Sequence, residues 1–243
     1  MTPEELVAAA CPKIGALGSA FYFDPATVAR GKEHGLDGFR FYILGRGGVL
    51  GDVEPRVIVS AFGYFHPAVI ERMWTTARAK VEPREAGRLY LDCCREFGRA
   101  HLSGVAGLDA FCEAAAAVNA AADPAGLALY AGISAEPLAD DLAARAMQLV
   151  TVLRELRGSA HLVAVVASGL APNVAHYLRR PNDYATFGWG ETAPEVTDED
   201  RARHARAEQL TDQLVLPAYS VVDAAGADAL VSGLKGIEAA LAG

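Results

Sequence analysis

The sequence predicts a mainly α-helical protein. Hydrophobic residues make up 52% and charged residues 21% of the 243 residues, which is typical of a soluble globular chain with a buried core. Alanine-rich runs such as EAAAAVNAAA favour helix, because alanine has the highest helix propensity. Long runs of alternating β-branched or aromatic residues, which would indicate strands, are scarce.

Helix start and stop signals divide the first part of the chain. Thr2 is a suitable N-cap, and the proline and glutamates after it suit a first turn, so a helix is expected from there up to Asp24. Asp24 caps a second helix, which ends at Gly35. The apolar residues Phe39, Tyr42 and Ile43 follow helical spacing and predict a third helix, which ends at the glycines of GRGGVLG.

Two further helices are expected around the segment GYFHP, because a proline disfavours helical geometry in the residue before it and His66 precedes one. Apolar spacing and loop signals predict the remaining elements, which are helices at 83–101, 108–122 and 138–156, a helix-turn-helix over 153–180, an aromatic loop over 180–196, and helices from 197 and from 226. A boundary between two parts is expected near residue 135.

The distribution of charge argues against nucleic acid as a partner. The chain has a net charge of −8 at pH 7, and residues 151–243 hold eight Lys or Arg against twelve Asp or Glu. A protein that binds nucleic acid relies on Lys and Arg to displace counterions from phosphates. The second helix of the 153–180 pattern reads NVAHY where a DNA reader carries basic or amide side chains.

The cysteines and the N-terminus carry no specialised signal. The four cysteines lack CxxC spacing, so neither a zinc site nor a disulfide framework is expected. The segment MTPEELVAAACPK lacks the basic and apolar regions of a signal peptide, and no run is long enough to span a bilayer. We therefore expect a cytoplasmic protein without membrane contact.

Three blocks of the sequence resemble a family of mostly uncharacterised actinobacterial helix-turn-helix-like proteins. The matching positions are Tyr42, Arg46, Leu50, Gly51, Phe62, Phe65 and Pro67 in the first block, Leu153, Arg154, Glu155, Arg157, Gly158 and His161 in the second, and Thr211 and Asp212 in the third. The resemblance implies a helical N-terminal part packed on a degenerate winged-helix or helix-turn-helix-like C-terminal part. The sequence departs from the family pattern after Gly188 and Trp189, because too few residues follow them to form a wing.

Seven residues are predicted to form a ligand site. Arg46 in GRGGVLG is suited to bind an anion, since glycines let backbone N–H groups approach and the guanidinium can bind bidentately. His66 lies at a helix break beside aromatic residues, where pockets form. His161 could act as a base or as a ligand of a metal or haem. The full set is Tyr42, Arg46, Phe62, Phe65, His66, His161 and Trp189.

Each of these residues also has a structural alternative. Arg46 could pair with an acidic neighbour, and His66 could line a half-exposed helix break. His161 could be a buried histidine that hydrogen-bonds to its surroundings, since a lone histidine without partners at ligand spacing is rarely a metal ligand. Trp189, with Tyr184 and Phe187, could pack the two parts of the chain together.

From these observations the sequence predicts a small-molecule-binding protein, with enzymatic activity left open. Residues 1–135 would form a helical ligand-pocket domain, and residues 136–243 a helix-turn-helix-like domain without a full wing. One alternative is a transcriptional regulator derived from a winged helix. A further alternative is binding of haem or a metal ion through His66 or His161. Homodimerisation through the C-terminal helices is expected by analogy with regulators of this shape.

Overall fold

The computed structural model describes residues 1–242. Helices account for 73% of the chain, and residues 1–242 contain no strand, so the predicted all-α fold is confirmed. Two short 3-10 turns occur at Gly48–Leu50 and Pro181–Asp183. The twelve α-helices of the described residues are α1 (Pro3–Leu17), α2 (Pro25–Glu33), α3 (Gly38–Gly47), α4 (Pro55–Phe62), α5 (Pro67–Arg78), α6 (Pro83–Leu102), α7 (Leu108–Ala121), α8 (Ala128–Ser134), α9 (Leu142–Ala167), α10 (Pro172–Arg179), α11 (Asp198–Tyr219) and α12 (Ala224–Ala242).

Prolines and capping side chains determine where many of these helices begin. Six helices start on a proline, where the missing N–H would have no helical partner in any case. Thr2 and Glu5 form a capping box at the start of α1, and Asp24 caps α2. Both starts agree with the predictions from the sequence.

The predicted break at His66 is also present. The helix α4 ends at Phe62, and Gly63 then turns the chain with φ +28°, a region that favours glycine. His66 is the N-cap of α5, and its Nδ1 atom accepts a hydrogen bond of 3.3 Å from the Ala68 N–H. The break therefore produces a turn that presents Tyr64, Phe65 and His66 next to one another.

Three features differ from the sequence-based expectation. The helix α1 ends at Leu17 rather than near residue 23, and the following turn buries Phe21 and Tyr22. The short helix α8 was not predicted, and it forms where Leu129 and Tyr130 are buried. Tertiary packing overrides weak local signals in both places.

The largest difference concerns α9. The sequence predicts one helix over 138–156 and the start of another at 153, whereas the structure has one continuous helix of 26 residues. Gly158 lies inside it with no atom within 4 Å of the position its Cβ would take, so this glycine neither marks a close approach nor interrupts the helix. The first helix of the predicted helix-turn-helix is thus the C-terminal half of α9.

The main hydrophobic core surrounds α9, which packs against α1, α6, α7, α8 and α11. A second, smaller core lies beside it and consists of Ala164, Val165, Leu170, Ala175 and Ala207. This smaller core joins the end of α9 to α10 and α11. The division into domains 1–135 and 136–243 stays a prediction.

The packing of α6 on α9 predicts opposite effects for two glycine substitutions. In Gly98→Ala the added Cβ would lie 2.5 Å from the Ala143 carbonyl oxygen, so we expect a loss of ~1–3 kcal/mol in the free energy of unfolding. In Gly158→Ala nothing is within 4 Å, so we expect a gain of ~0.5–1 kcal/mol from helix propensity. Urea unfolding followed by circular dichroism measures both. Equal midpoints for the two variants would contradict this packing.

Candidate functional site

A partly enclosed cavity of about 150 Å³ lies among α3, the turn between α4 and α5, the middle of α9, and α10. Five of the seven residues predicted to form a site line it, namely Tyr42, Arg46, Phe62, Phe65 and His161. His66 and Trp189 do not line it, and instead pack edge-on against each other with ring centroids 4.9 Å apart. The role of these seven residues in binding a ligand stays a prediction.

The cavity also contains residues that were not predicted as a site. Its lining includes five arginines and no aspartate or glutamate. Arg154 and Arg157 are three positions apart in LRELRG, which places both on one helix face and was a usable signal. The other ionisable residues that line the cavity without having been predicted are Tyr64, His176, Arg179 and Arg180.

Arg46 is held by a carboxylate from α9. Glu155 is buried, and both of its oxygens accept hydrogen bonds of 2.8 Å from Arg46, in a bidentate ion pair. The same carboxylate accepts bonds from Tyr22 at 2.8 Å and from Arg154 at 2.9 Å. The Arg46 guanidinium also stacks on the Phe62 ring, 4.7 Å from its centroid. Arg46 therefore has an acidic partner within the protein, 109 residues away in the sequence.

The surroundings of Glu155 keep it ionised. Burial by itself raises the pKa of the Glu155 carboxyl, but the charges of Arg46 and Arg154 and the hydrogen bonds they support outweigh burial and lower the pKa to about 2. The group is thus a permanent anion near neutral pH. It neutralises one of the two guanidinium charges it contacts and leaves a net positive charge beside the cavity.

His161 is a buried, neutral histidine. Its Nδ1 atom lies 2.8 Å from the hydroxyl of Thr211, which donates its own proton to the Ala207 carbonyl. The direction of the hydrogen bond between Nδ1 and Thr211 depends on the tautomer of the ring, and Nε2 faces the Glu208 carboxylate at 3.6 Å. Burial lowers the pKa of His161, Glu208 opposes that shift, and nearby arginine charges reinforce it, so that the pKa is about 4.

An aromatic stack connects the turn between α4 and α5 to α10. The ring of Phe187 lies between those of Phe65 and His176, with both centroid distances at 3.8 Å. The Phe187 carbonyl accepts a hydrogen bond of 2.9 Å from the His66 N–H, and the Trp189 indole donates to the Tyr64 carbonyl at 2.8 Å. The loop after α10 thus packs α10 onto the N-terminal part of the chain.

Four buried polar atoms at the cavity have no hydrogen-bond partner within residues 1–242: Tyr64 Oη, Arg154 Nε, Arg157 Nε and His176 Nε2. Buried polar groups are nearly always satisfied in folded proteins. No group of three or more His, Cys, Asp or Glu in the described residues is placed to hold a metal ion. None of the described helices is both long and apolar enough to cross a membrane.

The end of α9, the turn after it and α10 follow one another as a helix, a short turn and a second helix. The turn is four residues long, and Gly169 adopts φ +69° within it. The Gly169 carbonyl accepts a hydrogen bond of 3.1 Å from Arg203, which fixes α11 to the turn. Two helices on a glycine-containing turn, supported by a third helix, define the class of helix-turn-helix proteins.

Comparison with known proteins agrees with this geometry. The chain belongs to the Helix-turn-helix family, whose sequence model matches residues 8–187, about three quarters of the chain. No curated protein and no solved structure matches the chain. The match ends at the aromatic stack and covers both helices of the motif.

Family membership overturns the main function predicted from the sequence. The prediction of a small-molecule-binding protein is wrong, and the alternative of a transcriptional regulator is better supported. The family also points to nucleic acid as a partner, against the sequence-based expectation. The physical reason is that a sum of charges over residues 151–243 ignores position, whereas the structure pairs Glu155 and Glu208 with arginines inside the fold.

Replacing Glu155 tests the ion pair with Arg46. In Glu155→Gln two largely buried guanidiniums lose their shared counter-charge, and we expect a loss of ~3–5 kcal/mol in the free energy of unfolding. The matched control is Glu96→Gln, which removes an exposed partner 3.6 Å from Arg30 and should change stability by ~0–1 kcal/mol. Equal losses in denaturant unfolding of the two variants would contradict a structural role for Glu155.

The environment of His161 predicts a loss of stability in mild acid. The unfolded histidine takes up a proton near pH 6.5 and the folded one only near pH 4, so stability present at pH 7 declines as the pH falls through this range. We expect a decrease on the order of 2 kcal/mol between pH 7 and pH 5. His161→Gln should flatten this dependence, and the exposed His101→Gln should follow the wild type. Parallel curves for His161→Gln and wild type would contradict the assignment.

Proposed function

We propose that this protein binds double-stranded DNA and acts as a transcriptional regulator, with α10 as the helix that faces the DNA. The observation that carries the proposal is the three-helix unit of α9, α10 and α11, which has its own small core and lies in a chain of the Helix-turn-helix family. In such motifs the second helix enters the major groove. A fixed turn after α9 would orient α10 for this contact.

The outer face of α10 carries side chains that suit DNA. Asn173 and Tyr177 are spaced as i and i+4, so they share one side of α10, where both are partly exposed and lie against Tyr184, and Arg180 follows the helix as its C-cap. An asparagine amide can bond in a bidentate manner to an adenine edge. Tyrosine and arginine are common donors to phosphate oxygens. The helix and its C-cap therefore offer one residue that can read a base and two that can contact the DNA backbone.

The acidic total charge shapes the expected affinity. With a net charge of −8, binding to DNA of arbitrary sequence should be weak, because few phosphates can be neutralised. Selection must then depend on specific contacts from α10. Such a protein would bind a specific DNA sequence much more tightly than DNA of arbitrary sequence.

Selection of bound duplexes from a random library tests this function. We expect enrichment of a defined sequence, and fluorescence anisotropy should show tighter binding to it than to a scrambled duplex. Asn173→Ala should weaken binding to the enriched duplex by roughly 5- to 150-fold, corresponding to ~1–3 kcal/mol for a lost bidentate contact, and leave the scrambled duplex nearly unaffected.

The matched control is Gln213→Ala, which removes an exposed amide from α11. It should bind both duplexes as the wild type does. If no sequence is enriched and the wild type shows no affinity for DNA even at low salt, the proposed function is wrong.

We also propose that the protein acts as a homodimer, since helix-turn-helix regulators commonly read two half-sites one helical turn apart. A palindromic enriched sequence and a dimeric mass by light scattering are the expected results. The assignment to an actinobacterial branch of the family and the cytoplasmic location stay predictions from the sequence.

A further inference from the structure

Positive charge gathers on the inner side of α10. Arg179 at the end of α10, Arg180 directly after it and Arg157 from α9 all line the cavity, and no acidic side chain lines it with them. Arg157 is paired with Glu208 at 3.0 Å and Asp212 at 3.4 Å. Three arginines thus line one cavity, and the two carboxylates of Glu208 and Asp212 both pair with Arg157.

The other two arginines have little compensation. The Arg179 side chain forms no ion pair within residues 1–242, although the Glu208 carboxylate lies near enough to raise its pKa. Arg180 has Asp183 as its nearest carboxylate, at 3.7 Å. Partial burial, together with the charges of Arg157 and Arg180, lowers the pKa of Arg179 more than Glu208 raises it. Like charges that line one small cavity are unfavourable unless an anion lies between them.

Unpartnered polar atoms in the same cavity point to a missing hydrogen-bond acceptor. The Nε atom of Arg157 is a donor only, and it is buried without a partner. His176 Nε2 and Tyr64 Oη are in the same condition and line the same cavity. An anion with several oxygens is the partner that such a set of groups can hold.

We propose that Arg157, Arg179 and Arg180 form a phosphate subsite, in which a backbone phosphate of bound DNA lies at the mouth of the cavity. This inference rests on the proposed function and names the place where the DNA backbone is held. Arg179 and Arg180 retain exposure to solvent and lie at the end of the helix that carries Asn173, so a phosphate can reach them while α10 faces the bases. Arg157 lines the cavity beside them, where Glu208 and Asp212 pair with its charge and fix its position.

The test measures binding of a fluorescein-labelled duplex of random sequence across a salt series. Arg179→Gln and Arg180→Gln should each reduce the slope of log affinity against log salt by about 1 and weaken binding to every duplex by a similar factor, about tenfold. The matched control is Arg201→Gln, which removes the same charge from an exposed position on α11. It should leave the slope within about half a unit of the wild type.

A second arm separates DNA phosphate from free phosphate. Thermal unfolding of wild type and Arg179→Gln is compared in chloride and in inorganic phosphate of equal ionic strength, without DNA. We expect no difference between the two proteins in their response to phosphate, because a single free anion lacks the other contacts of the duplex.

The outcomes distinguish the two proposals. If the wild type binds no DNA, the proposed function and the subsite both fail. If the wild type binds DNA and both cavity variants match Arg201→Gln, the subsite alone is overturned. If inorganic phosphate stabilises the wild type but not Arg179→Gln, and DNA binding is unchanged in that variant, the cluster holds a free anion and the DNA subsite is again overturned.

Discussion

The carboxylate of Glu155 lies inside the protein and binds three side chains from separate parts of the chain: Arg46 from α3, Tyr22 from the turn after α1, and Arg154 from its own helix. A buried charge is tolerated only when it is paired and hydrogen-bonded. The packing of α3, the turn after α1 and α9 around this carboxylate is therefore stable only when all three segments are in place. This requirement fixes α3 and the first turn of the fold against the middle of α9, and so determines where the cavity can form.

Because α9 is continuous, the same helix that binds α3 through Glu155 also positions the helix-turn-helix. At 26 residues it is about 39 Å long, and its first half lies in the main core while its second half carries α10. The small core beneath α10 contains only five buried residues, so α10 is held by far less apolar contact than α9. Elements with few buried contacts open at lower free energy. The stacking of Phe187 on Phe65 and His176 compensates in part, because it fixes α10 to a second element.

Local signals were sufficient to predict much of the fold. Thr2, Asp24 and the break at His66 each depend on neighbours within a few residues, and all three appear as predicted. The continuity of α9 was missed because LRELRG contains a glycine, and only tertiary packing reveals that Gly158 does not end the helix. The short helix α8 was missed because burial rather than propensity stabilises it.

The candidate site was predictable only in part, for a related reason. Tyr42, Arg46, Phe62, Phe65 and His161 were predicted from motifs and line one cavity. The partner of Arg46 lies 109 residues away, and no spacing rule links the two. Arg157 and Arg179 line the same cavity because the turn after α9 sets the position of α10. The order of charged residues along the chain does not predict that position.

The same distinction resolves the conflict between an acidic chain and a DNA-binding fold. Charges act over about 10 Å at moderate salt, so a net charge of −8 governs the approach to DNA but not the contact itself. At contact range the relevant charges are Arg179 and Arg180, whose positive charge is not fully neutralised, whereas Glu155 and Glu208 are occupied by other arginines. Long-range repulsion and the phosphate contacts of the basic cluster both act on all duplexes alike, so discrimination between sequences depends on the base contacts of α10. An acidic surface around a small basic site therefore favours selectivity over affinity.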